Sequence, residues 1–392
     1  MRKQLWKWTI LLALPLALFA IIRERRSWQP RTFQVEPSQV AQWFLQMAFS
    51  ADGKRLILRP LGPLKFLDIA TGKIWPDVPQ RTTDFANEYS AVLSPNEKTV
   101  ASMANAGRLE LWDVAHNKLK RTLSHPIPHE LSTVCVAFSP DGQTLAESRG
   151  ESGNYSRHIS GSILLWDTQT GKLKRTLSSG GNTIIEILFA LDGRTMIGSG
   201  LYAAQMWDVS SGKLRFKVAN DGLPGSVVAL SNDGKLLVSR LRGAIKLWNA
   251  QTGHLLRQFE GNEKSVKDVT FAPNGKTLAV LSNGNRIPAN VSVYPGVPIN
   301  GEVRLWDIQS GTTKHILFNQ NKAINSIAFS PDGQIIAGDC DGEVDLWDTK
   351  SGKLSRRLLS SSVNLAALAF SPDGSTLATA SESGIIKLWR IK

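Results

Sequence analysis

From about residue 44 onward the chain alternates between two short apolar patterns, each closed by a turn signal. The first is an apolar run ending in a Ser-Pro-Asp-Gly-like turn. It occurs as MAFSADG (47–53), AVLSPNE (91–97), VAFSPDG (136–142), ILFALDG (187–193), VALSNDG (228–234), VTFAPNG (269–275), IAFSPDG (327–333) and LAFSPDG (368–374). The second is an alternating run ending in Leu-Trp-Asp or a relative, anchored at Leu67, Trp112, Trp166, Trp207, Trp248, Trp306, Trp347 and Trp389. The two patterns take turns along the chain, and most anchors recur about 40 residues apart, a period that marks a repeat architecture.

Each piece has a mechanical reason. In Ser139-Pro140-Asp141-Gly142 the proline presets φ at the second turn position, and the glycine accepts the positive φ that follows. That reverses the chain between two strands. After Trp-Asp comes a second turn, as in Asp167-Thr168-Gln169-Thr170-Gly171-Lys172, and then a basic strand such as Leu173–Leu177. Each repeat is therefore four short strands. A lone four-stranded sheet cannot cover both of its faces, so the sheets stack around an axis with Trp between them.

On these paired motifs the chain resembles the WD-repeat (WD40) β-propeller family, from about residue 31 to the carboxyl terminus. The resemblance implies an all-β fold: a single eight-bladed propeller over 31–392, preceded by a hydrophobic segment and linker over 1–30. The last repeat stops after its Trp strand, and Arg31–Glu36 alternates as a strand does, so this segment is expected to complete the eighth blade. Seven blades plus a degenerate unit is the alternative, because the first repeat has Phe66-Leu67-Asp68 where the others carry Trp. The family's polar network of His, Ser, Asp and Trp is mostly missing. Only His129 fills the His slot and only Asp341 the Asp slot, so turns and apolar packing are expected to hold the blades.

The amino terminus follows a different pattern. Arg2, Lys3 and Lys7 precede an uncharged run from Trp8 to Ile22, and Arg23, Arg25 and Arg26 close it. Counted from Leu5 the helix would be about 27 Å long, near the ~30 Å hydrocarbon core. Trp6, Trp8 and Trp28 bracket it as interfacial aromatics do. No small-residue pair fits a cleavage site, so a retained anchor over residues 5–22 is expected, with a cleaved signal and a secreted or periplasmic protein as the alternative. Basic residues flank both ends, which leaves the orientation open.

Composition then narrows the chemistry. The formal charge is +13 with Lys+Arg at 46 against Asp+Glu at 33. Much of the excess sits around the hydrophobic run, which argues for a membrane rather than for nucleic acid. Two cysteines, Cys135 and Cys340, exclude a disulfide scaffold and read as buried free thiols. No metal-ligand spacing, nucleophile elbow or phosphate loop occurs, so no catalytic residue, metal or cofactor is expected. The turn aspartates are explained by turn chemistry rather than by calcium. An eight-bladed propeller enzyme, such as a quinoprotein-like dehydrogenase, is the alternative from another class.

Two length anomalies point to where a partner binds. The third repeat inserts residues around Glu147–Gly161 and the sixth around Asn283–Gly301, both between the second strand and the Trp strand, hence on one face. The connection His125–Glu130 emerges there as well. Arg149, Tyr155, Arg157, His158, Arg286 and Tyr294 are the candidate contacts for an unidentified protein or peptide. The basic outer strands, such as Lys118, Lys120 and Arg121 or Lys172, Lys174 and Arg175, read first as edge protection. With the anchor retained, the same strands would meet anionic lipid.

Overall fold

A computed structural model describes residues 30–34, 44–60, 65–75, 91–104, 108–116, 118–123, 131–151, 161–200, 203–219, 228–241, 244–259, 266–282, 301–318, 322–359, 365–381 and 383–392. The hydrophobic run at 5–22 lies outside these residues. Among the described residues no helix is long and apolar enough to cross a membrane.

The strands form eight four-stranded antiparallel sheets, each a blade running from an inner to an outer strand. Seven blades are continuous in sequence. The eighth takes its outer strand from the other end of the chain: Arg31–Gln34 pairs with Ile385–Arg390, with Arg31 opposite Leu388 and Phe33 opposite Ile386. The ring has eight blades, and the first repeat is a full blade despite its missing Trp.

Eight hydrophobic clusters occupy the eight seams between neighbouring blades. Trp166 packs with Leu145 and Leu164 of its own blade against Leu109, Leu111 and Leu123 of the blade before. Trp207, Trp306 and Trp347 do the same in blades 4, 6 and 7. Burying both faces of every sheet is what removes the exposed face a single blade would have. The closing seam follows the rule with residues from both chain ends, since Phe33, Met47, Leu56 and Leu67 pack with Ile386 and Leu388.

A polar contact recurs across the seams on the outer side. Arg257 donates to the Gln309 carbonyl at 3.0 Å, His315 to the Lys350 carbonyl at 2.8 Å and Arg356 to the Arg390 carbonyl at 3.0 Å. Arg31 occupies the matching position on the closing strand and donates to Ala70 at 2.6 Å. The closure thus reproduces the contact made by ordinary seams.

The turns have the chemistry their sequence implies. Ser139 Oγ donates to Asp141 at 2.6 Å and accepts the Thr144 N–H at 2.9 Å, while the Gly142 N–H closes the turn on the Ser139 carbonyl. Asp167 Oδ1 accepts the Thr170 N–H at 2.7 Å and its hydroxyl at 2.9 Å, leaving Oδ2 for Lys174 at 3.2 Å. Those hydrogen bonds, ahead of the lysine, hold the Asp167 carboxyl down at about 2.

Candidate functional site

Antiparallel alternation sends every connection between a second strand and a Trp strand out of the same face of the ring, opposite the Ser-Pro-Asp-Gly turns. Both insertions therefore leave from one face. In blade 3 the inner strand runs Leu131–Phe138 and the second strand Thr144–Glu151, eight residues each, against six in blade 4. The insertion accordingly starts after Glu151 rather than at Glu147. The polar stretch Glu147-Ser148-Arg149 reads as loop in sequence, yet it is paired strand whose side chains are buried.

Inside that strand is a compact ionic centre. Glu147 is 2% exposed. Its Oε1 accepts the Thr133 hydroxyl at 2.6 Å and its Oε2 accepts the Trp166 indole N–H at 2.8 Å. Arg149 Nε lies 3.8 Å from Oε1. Burial pushes the Glu147 carboxyl up, opposed by Thr133, Arg149 and Trp166. A buried charge needs this degree of pairing, because solvent cannot supply it. Arg149 is thus not a surface contact: it is 6% exposed and belongs to the foundation of the insertion. Tyr155, Arg157, His158, Arg286 and Tyr294, and the connection 125–130, lie outside the described residues.

Four of the Trp indoles nevertheless find an acceptor. The second-strand position two beyond the residue facing Trp supplies Glu147 in blade 3, Ser239 in blade 5 and Thr379 in blade 8. Ser239 accepts from Trp248 at 2.9 Å and Thr379 from Trp389 at 3.0 Å. In blade 2 the acceptor is Glu110, on the Trp strand itself, at 3.1 Å from Trp112. In blades 4 and 7 the position is glycine, and a Cβ there would come 2.9 and 2.8 Å from the Trp207 and Trp347 rings.

A second charged centre lies on this face in blade 7, beside the blade that carries the 283–301 insertion. Asp339 is 1% exposed; its Oδ1 accepts the Gly342 N–H at 3.4 Å and its Oδ2 has no partner. Burial, with Asp341 nearby, raises its carboxyl from 3.8 to about 6. Asp341, held at φ 47°, accepts from Asn325 at 2.8 Å, and Lys267 of blade 6 donates to Asn325 at 3.3 Å. Further out, Arg357 pairs with Asp345 through two bonds of 2.6 and 3.0 Å, and Lys322 meets Glu343 at 3.0 Å.

The basic outer strands are partly neutralised within their own blades. Lys120 pairs with Asp113 at 3.2 Å, Arg215 with Asp208 at 2.6 Å and Lys314 with Asp307 at 3.1 Å, as Lys174 does with Asp167. Lys118, Arg121, Lys172 and Arg175 form no ion pair among the described residues, while Arg257, Arg356 and Arg357 donate the hydrogen bonds already given. Both cysteines are buried free thiols, and burial pushes Cys135 above the ordinary thiol range. Among the described residues no group of three or more His, Cys, Asp or Glu is gathered to hold a metal.

The family model of the eukaryotic translation initiation factor eIF2A matches residues 258–389. Telomerase protein component 1 of Mus musculus is 29% identical over 102 residues, which are 26% of this chain. The match spans only 3% of the length of that relative. The crystal structure of the computationally designed Ika8 protein superposes with a TM-score of 0.65 over 93% of this chain and 100% of that one. Its sequence identity is 22%, so this likeness shows the fold alone. The family-model match covers repeat-bearing sequence, both matches fit a WD-repeat propeller, and the chain adopts an eight-bladed β-propeller.

Proposed function

We propose that this protein is a non-catalytic interaction scaffold, tethered to a membrane by residues 5–22, whose protein or peptide partner docks on the face carrying the insertions. The observation that carries the reading is the common exit of both insertions from one face, the first rising from a second strand with a buried ionic base at Glu147 and Arg149. A rigid scaffold that presents extended loops is the usual arrangement for recognition. The side chains expected to make contact are Tyr155, Arg157 and His158 from the first insertion, with Arg286 and Tyr294 from the second.

The non-catalytic part is supported by how the acids are used. The turn carboxylates Asp141, Asp167, Asp208, Asp332 and Asp373 are each bound to their own turn. The tether rests on the sequence of the hydrophobic run and its basic flanks. Full-length protein in cells should fractionate with membranes and resist high-salt extraction. A chain starting at residue 30 should lose that behaviour; its retention would remove the tether from the account.

Deletion of 152–159 tests the docking face. The shortened chain should keep its fold, because the deletion starts beyond the last strand residue of blade 3, and should lose its captured partners. An unchanged set of captured proteins would refute the docking face.

A further inference from the structure

One side of the central channel is apolar. Met47, Phe49, Leu93, Ile327 and Leu368, from the inner strands of blades 1, 2, 7 and 8, line with Ser94 and Ser326 a cavity of about 620 Å³ that falls in the size range of small-molecule sites. At the first turns of blades 1 and 2, Ala51, Pro95 and Glu97 also line it. This is the face opposite the insertions, so the site is separate from the docking face proposed above.

Glu97 is out of place in this turn. The corresponding position is glycine in the other seven blades, with φ between 66 and 69°. Glu97 holds φ 59° with a full side chain, a conformation that persists only where the surroundings impose it. Its Oε1 accepts the Ala51 N–H. That N–H exists because Ala51 stands where five of the eight turns have proline. Among the described residues Glu97 forms no ion pair, although Lys98 follows it directly. An acid without a counter-charge is thus fixed at the rim of an apolar cavity.

We propose that this cavity binds a small amphipathic cation, with its apolar body among Met47, Leu93 and Leu368 and its ammonium against the Glu97 carboxylate. The shape sets the class of ligand. A neutral apolar molecule would leave the acid without a counter-charge, and an anion would be repelled by it. A compact ammonium on an aliphatic body satisfies both parts at once, with the second carboxylate oxygen and the open mouth completing its hydrogen bonds. Ala48, exposed and itself part of the cavity lining, leaves room for that body.

The test compares three probes of one chain length, n-octylammonium chloride, sodium n-octanoate and n-octanol, titrated into the full chain by calorimetry. Octylammonium should bind saturably at one site, about tenfold or more tightly than octanoate, as a charge-assisted bond implies. Glu97→Gln keeps an acceptor for Ala51 and removes the charge, so it should abolish the preference for the ammonium. Ala48→Phe fills the channel from an exposed position and should abolish binding of all three. Failure of octylammonium to saturate would overturn the proposal. Equal affinity for octanoate, a preference that survives in Glu97→Gln, or binding that survives in Ala48→Phe would each overturn it as well.

Discussion

Glu97 accepts the backbone N–H of Ala51 at 2.5 Å, across the seam between blades 2 and 1. Two departures from the repeat, glutamate for glycine and alanine for proline, are therefore one device: each makes sense only with the other. The left-handed conformation of Glu97 costs about 1–2 kcal/mol, and a hydrogen bond to a charged acceptor returns a similar amount. Ala51→Pro should lose about 1–2 kcal/mol of stability in urea unfolding, since it removes the N–H while the strain remains. Glu97→Gly should be nearly neutral. In the Glu97→Gly background Ala51→Pro should cost nothing, and a cost equal to that in the wild type would uncouple the two residues.

Ring closure should behave as an ordinary seam. Arg31→Ala, Arg257→Ala and Arg356→Ala each remove the side-chain bond to the next blade, Arg31 also its stacking over Phe33, and should each cost about 1 kcal/mol. Phe33→Ala also opens the core shared by blades 8 and 1, and about 2 kcal/mol is expected. The check is chemical denaturation of the four variants. A Phe33→Ala protein as stable as wild type would mean that the closing strand contributes little.

The ionic centre in blade 3 should be costly to break and tolerant of conservative change. Glu147→Ala leaves the Thr133 hydroxyl, the Trp166 indole and the Arg149 guanidinium without their acceptor, and about 3 kcal/mol should be lost. Glu147→Gln retains one oxygen acceptor and should lose less. Limited proteolysis should find new cleavage after Glu151 in the alanine variant first, because the foundation of the insertion has been removed.

Asp339 makes stability fall as pH rises. Its folded pKa, about 6, stands above the ordinary 3.8, so the native state holds the proton more tightly than the unfolded chain. The resulting stabilisation is complete below 3.8, declines as pH rises and is gone above about 6. Asp339→Asn removes the ionisation, so the variant should gain stability relative to wild type as pH rises from 4 to 7. Melting temperatures of the two proteins across that range decide it, and parallel curves would contradict the assignment. The turn aspartates act in the opposite direction. Asp332 and Asp373, held down at about 2, support the fold above 3.8 and lose that contribution as pH falls towards 2.

The ring was readable in the sequence because its determinants are local and repeated. The turn at Ser139–Gly142, the Asp167 turn and the strand alternation of Arg31–Gln34 each need only neighbouring residues to be recognised. What escaped depends on contacts distant in sequence. Glu147 and Arg149 look like loop residues until Thr133 and Trp166 are placed around them. Glu97 looks like a worn turn until Ala51, 46 positions away, is seen against it. Asp339 carries no local sign of its burial between blades. The seam contact of Arg31 with Ala70 has the same character, because the matching cation varies between Arg257, His315 and Arg356.

The docking face is tested most directly by affinity capture with three full-length proteins: wild type, a deletion of 152–159 and a deletion of 284–299. The same bound proteins should be lost from both deletions while the far-ultraviolet spectrum and melting temperature stay unchanged. Retention of the whole captured set by both well-folded deletions would contradict the account.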